Sequence, residues 1–106
     1  VVDCGVLGRG ESDRTVVAAS STHSLLVTRA CYLALRRAAD PPLRPSGVVL
    51  VTEPGRALDR TDVEQVVGAP VRAEVAVDPA VARAVDAGLL ASRLPRGLER
   101  SLRRAA

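Results

Sequence analysis

The chain contains no lysine, asparagine, isoleucine, phenylalanine, methionine or tryptophan, and Tyr32 is its single aromatic residue. A lone tyrosine offers no stacking platform for single-stranded nucleic acid, and any core must be packed from small aliphatic groups. Because lysine is missing, all 15 basic residues are arginine. The missing residue types share AT-rich codons, so a GC-rich genome accounts for the arginine content, which therefore weighs little as a sign of nucleic-acid binding. Two cysteines, Cys4 and Cys31, stand 27 positions apart without CxxC spacing. They offer neither a zinc site nor a disulfide framework and read as small buried hydrophobes in a reducing, cytoplasmic setting. No apolar run approaches the ~18 residues of a spanning helix. No basic segment followed by an apolar stretch opens the chain as a secretory signal would.

What is present is 106 residues, with 17 Val, 17 Ala and 13 Leu supplying nearly all of the 47% hydrophobic content. That length suits one domain. The net charge is +3, and the 12 acidic residues are interspersed with the arginines, so no single-sign block forms an interaction tail.

Val1 to Cys4 is a short apolar run ending on Gly5, and Gly8 to Asp13 is polar and turn-rich. Thr15 to Ala19, apolar on both faces, reads as a buried strand. Ser24 to Ala39 has the length and propensity of a helix, with Ser20, Ser21 and Thr22 as N-cap candidates and Asp40-Pro41-Pro42 as its stop. Gly47 to Thr52 is a third buried strand. Thr61-Asp62-Val63-Glu64 matches a capping box opening a short helix that Gly68 ends. Val71 to Val77 alternates apolar and polar residues, as a strand near a sheet edge does. Asp78-Pro79 supplies an N-cap and first-turn proline for Ala80 to Ala87, with Gly88 as the stop. A last helix is expected from about Arg96 to Arg104, with Leu98 and Leu102 as its apolar pair. Strands alternating with helices predict an α/β fold with a mainly parallel sheet flanked by helices.

Chemistry-bearing residues are few. An Asp at the carboxyl end of a buried strand, followed by Gly, is where open α/β sheets place ligand- and metal-orienting groups. Asp3-Cys4-Gly5 fits that description, and fits equally a structural Asp capping the next loop. His23, at the start of the expected helix, reads as a neutral surface histidine, since no Ser/Asp arrangement accompanies it. Arg96, Arg100, Arg103 and Arg104 surround two leucines, too little apolar area for firm membrane attachment. They read as the solvated face of a packing helix, and sequence alone does not separate that from contact with DNA phosphates.

The order of these phrases resembles the C-terminal half of the ParA/MinD ATPases, deviant-Walker P-loop proteins that position septa, chromosomes, plasmids and pili. Val1 to Gly5 resembles the Walker B-like strand ending Asp-x-Gly. Asp13 to Leu25 resembles the next strand and helix entry, and Gly47 to Thr52 the strand that usually ends in Asn. Val67-Gly68-Ala69-Pro70-Val71 resembles a Leu-Gly-x-Pro-Val junction, and Asp78 to Gly88 the family's D-x-x-V-x-x-A-x-x-x-G segment. Two departures stand out. The chain has no Gly-x-x-x-x-Gly-Lys-Ser/Thr loop and no lysine, so nothing in it can cradle a triphosphate, and Val51 or Thr52 stands where relatives carry the adenine-reading Asn.

The resemblance implies a partial P-loop NTPase (Rossmann-like) domain spanning 1–106, the C-terminal portion of a longer ATPase or a lineage with weakened nucleotide binding. It assigns Asp3 to the catalytic acidic position that acts on Mg²⁺ through water, and Gly5 to the start of the nucleotide-sensing switch. Thr52, Asp78 and Pro79 fall in the segments flanking the base of ATP. It further implies a homodimer in full-length form, a protein partner in a positioning system, and DNA or a membrane as the surface. The alternative from another class is a nucleotide-independent scaffold that binds a localisation partner.

Overall fold

In the computed structural model, residues 1–6, 13–39 and 44–105 are described. The run Gly47–Thr52 (β2), four of its six residues buried, forms the centre of a three-stranded parallel sheet. Leu25–Arg29 (β1) pairs with β2 in register from Leu25↔Gly47 to Arg29↔Val51. Val71–Ala76 (β3) pairs on the other side, giving the order β1-β2-β3. Asp13–Ser20 (α1) precedes β1, Tyr32–Ala39 (α2) links β1 to β2, and Arg60–Val67 (α3) links β2 to β3. Pro79–Asp86 (α4) and Arg96–Arg103 (α5) follow. Crossovers between parallel strands take one hand, so two in succession in the same direction bring α2 and α3 to one face, where they pack on each other. The fold is thus α/β, a parallel sheet flanked by helices.

The core lies under α2 and α3. Val48, Leu50 and Val71 of the sheet meet Leu35 of α2 and Val63 of α3, with Ala30 and Ala69 filling the gaps. Val48, Leu50 and Val63 are almost wholly enclosed, each contributing roughly 1.5–3 kcal/mol of transfer free energy. The β2–β3 register shifts between Val48 and Val49, so β3 advances from Val71 to Ala73 while β2 advances one residue. Arg72 is the extra residue of this bulge. Its aliphatic stem crosses Gly47, where an added Cβ would stand 2.6 Å from Arg72 Cγ. Gly47 therefore opens β2 because the bulged arginine occupies its side-chain space.

The structure corrects several expectations. Val1 to Gly5 is not a strand; residues 1–6 carry no regular secondary structure. Thr15 to Ala19 lies inside helix α1, burying Thr15 and Ala18, one turn apart. The expected helix Ser24 to Ala39 is divided: Leu25–Arg29 is β1, and only Tyr32–Ala39 is helical. The capping box of α3 is Asp59 with Asp62, two residues before the expected Thr61–Glu64 pair. His23 is an exposed residue ahead of β1, away from any helix start, and Cys4 and Cys31 are half-buried. Residues Gly8 to Ser12 and Asp40-Pro41-Pro42 lie outside the described residues. The expected β2, β3, α3, α4 and α5 are present with boundaries within a residue or two.

Candidate functional site

Parallel strands present their carboxyl ends on one side of a sheet, the side on which open α/β folds bind ligands. Here those ends hold Arg29 of β1, Thr52 and Glu53 at the end of β2, and Val77 to Pro79 after β3. The Thr52 carbonyl accepts from the Val77 amide at 3.0 Å, continuing the pairing one step past β3. Glu53, with a side chain 19% exposed, pairs with Arg29, and its Oε2 accepts from Arg56 Nε at 2.9 Å. One carboxylate thus joins the ends of β1 and β2 and the turn at Gly55, whose φ of +76° requires glycine. Asp78 is the N-cap of α4: its Oδ1 accepts from the Ala80 amide at 2.8 Å, and Pro79 occupies the first turn.

The other assigned residues lie at the start of the chain. The Asp3 Oδ1 accepts from the Gly5 amide at 2.8 Å, and Gly5 turns at φ +66°. This is the local Asx turn open to any Asp before a tight bend. A Cβ on Gly5 would stand 3.4 Å from Arg14 Nη1, so α1 presents a guanidinium to this turn. Asp3, Gly5, Asp13 and Arg14 line an open cleft of about 340 Å³.

The five assigned residues therefore fall into two groups. Neither Thr52, Asp78 nor Pro79 lines the cleft at Asp3, and the carboxyl ends of β2 and β3 carry the second group. Among the described residues, no three His, Cys, Asp or Glu side chains gather as a metal cluster. Asp3 has one oxygen engaged by Gly5, and among the described residues Arg14 is the one basic residue lining its cleft. The residues present do not fit Mg-ATP by themselves. The sequence pattern conceals the Arg29–Glu53–Arg56 cluster because it favours a helix at Arg29. The available signal is Glu53, an acidic residue directly after a buried strand and before Pro54-Gly55.

No protein-family model, curated protein or solved structure matches the chain. Among the described residues, no helix is long and apolar enough to cross a membrane.

Proposed function

We propose that these residues form the C-terminal portion of a ParA/MinD-like ATPase domain acting in intracellular positioning. The observation that supports this reading is the open edge of the sheet at β1. Among the described residues, β1 is an edge strand with its outer backbone groups unpaired by any strand, and Leu25 and Val27 on it are 50% and 65% exposed. An edge whose one charge, Arg29, lies at its end and is drawn to Glu53 is normally covered or blunted. Such an edge suits pairing with a further strand, which in this reading belongs to the segment carrying the phosphate-binding loop. Asp3 then supplies the Mg²⁺-side carboxylate, and Thr52, Asp78 and Pro79 flank the base.

The test has two arms. Calorimetry on the 106 residues is expected to show no magnesium-dependent binding of ATP, and a saturable heat that requires Mg²⁺ overturns the partial-domain reading. A protein extended through the upstream coding sequence is expected to hydrolyse ATP, with Asp3→Asn lowering the rate at least about tenfold. Full activity in that variant removes Asp3 from the site. The exposed valines of α1, Val16 and Val17, favour a second reading as a nucleotide-independent scaffold. An extended protein without nucleotide affinity selects it.

A further inference from the structure

We infer that the cleft between α4, α5 and the carboxyl end of β3 binds a phosphate group through Arg100 and Arg104. The cleft encloses about 350 Å³ and is separate from the one at Asp3. Val81 and Leu98 give it an apolar side, while Arg100, Ser101 and Arg104 give it a polar one. Gly97 also lines it, with open space at its α-carbon: an added Cβ would meet no atom within 4 Å.

The charges carry the argument. Four arginines are held by acids, Arg103 by Glu99 at 2.7 Å, Arg60 by Glu64, and Arg29 and Arg56 by Glu53; of the described arginines outside these pairs, Arg100 and Arg104 line one cleft together. Arg100 and Arg104 belong to none of these pairs, and among the described residues no carboxylate lies within ion-pair distance of either. They stand four residues apart at the end of one helix, about 6 Å along its axis, where like charges repel. Asp78 lines the same cleft, but its Oδ1 is committed to the Ala80 amide at 2.8 Å as the cap of α4. The balance is two guanidinium groups against one engaged carboxylate. Paired guanidinium forks match the oxygens of a phosphate, and the Ser101 hydroxyl, without a partner among the described residues, adds a donor on the same wall. Beside them, Val81 and Leu98 suit the carbon skeleton of a monoester. Metal is not required, and although the cleft shares Asp78 with the segment that flanks the base in the ATPase reading, a metal-free titration separates the two.

The test is amide and arginine side-chain NMR on the 106-residue chain, titrated with inorganic phosphate in metal-free buffer at constant ionic strength. Saturable shifts are expected at Gly97 and Ser101 and at the Arg100 and Arg104 side chains. Arg100→Ala with Arg104→Ala should weaken binding at least about tenfold, and Arg96→Ala, outside the cleft, should leave it unchanged. Asp78→Asn keeps a good N-cap while removing the opposing charge, and should tighten binding. If the double alanine variant disturbs α5, Arg100→Lys with Arg104→Lys keeps the charge and loses the fork, and weaker binding is again expected. A second titration, with glycerol 3-phosphate, separates the sources: tighter binding than phosphate assigns a monoester, equal binding the free anion. Shifts that do not saturate, equal shifts with chloride, or unchanged binding in both double variants overturn the site.

Discussion

Val71 begins β3 with both its backbone groups held by side chains of α3. Glu64 Oε1 accepts from the Val71 amide at 2.8 Å, and Arg60 Nη2 donates to the Val71 carbonyl at 2.8 Å. Arg60 Nε also donates to Glu64 Oε1 at 3.2 Å, closing the clasp. The Val71 amide is the main cause that lowers the Glu64 pKa below its usual 4.5; burial opposes the shift and Arg60 adds to it. A carboxyl whose folded pKa is depressed stabilises the fold fully above its unfolded pKa, and the contribution fades as pH falls through the folded value. Denaturation midpoints should therefore fall as pH is lowered from about 5 towards 3, and Glu64→Gln should flatten that dependence. Gln can still accept from Val71, so the variant should fold, with a lower midpoint at neutral pH. Urea unfolding at several pH values reads both effects, and an unchanged acid limb removes Glu64 from the clasp. Asp3 shows the other side of residue-scale inference. Its place before Gly5 is legible, but a short carboxylate there serves an Asx turn or a ligand equally well, and residue type alone does not choose between them.

At the scale of elements, helix α3 is defined from both ends. Asp59 accepts from the Asp62 amide at 3.1 Å and Asp62 accepts from the Asp59 amide at 2.8 Å, while Gly68 ends the helix in the left-handed region at φ +73°. Asp59→Ala removes half of this box and should cost about 1 kcal/mol, measured as a shift of the urea midpoint at unchanged slope; no shift leaves the start of α3 to packing alone. The stop at Gly68 and the cap at Asp78-Pro79 are legible in the sequence because each depends on a few adjacent residues. The start is not, because Thr61-Asp62-Val63-Glu64 satisfies the same pattern as Asp59-Arg60-Thr61-Asp62, and Glu64 is taken by Val71. The larger discrepancy, a helix expected where Leu25–Arg29 is a strand, has a non-local cause. Leu-Leu-Val-Thr-Arg has no strict alternation and is soon followed by the helix-forming Leu33 to Ala39, so propensity favours one long helix. Pairing along β2 from Gly47 to Val51 overrides it. The same displacement hides the Arg29–Glu53 contact, since a residue placed on a helix is not expected at a strand end.

At the scale of the molecule, the sheet is asymmetric. β3 is an edge strand too, but its Arg72 and Glu74 are exposed charges and α5 packs on it, both recognised ways of protecting an edge. On β1 the exposed side chains at Leu25 and Val27 are apolar, and the sole charge, Arg29, is drawn to Glu53. Unpaired backbone groups flanked by apolar side chains form a template for another strand. The 106-residue chain is therefore expected to self-associate with rising concentration, and Val27→Lys should suppress that association by placing an ammonium in the middle of the edge. Because Val27 is 65% exposed, the substitution should change the stability of the monomer by no more than about 0.5 kcal/mol. Sedimentation velocity across a concentration series, paired with urea unfolding, reads the two quantities separately. Association that persists in Val27→Lys with stability intact places the contact elsewhere. The same substitution distinguishes the short chain from a longer protein. Where a further strand covers β1, the introduced ammonium is buried against it, and Val27→Lys becomes destabilising by about 2 kcal/mol or more because the charge loses its water without gaining a partner. A substitution that is neutral in the 106 residues and damaging in a longer protein would thus place a further strand of that protein beside β1.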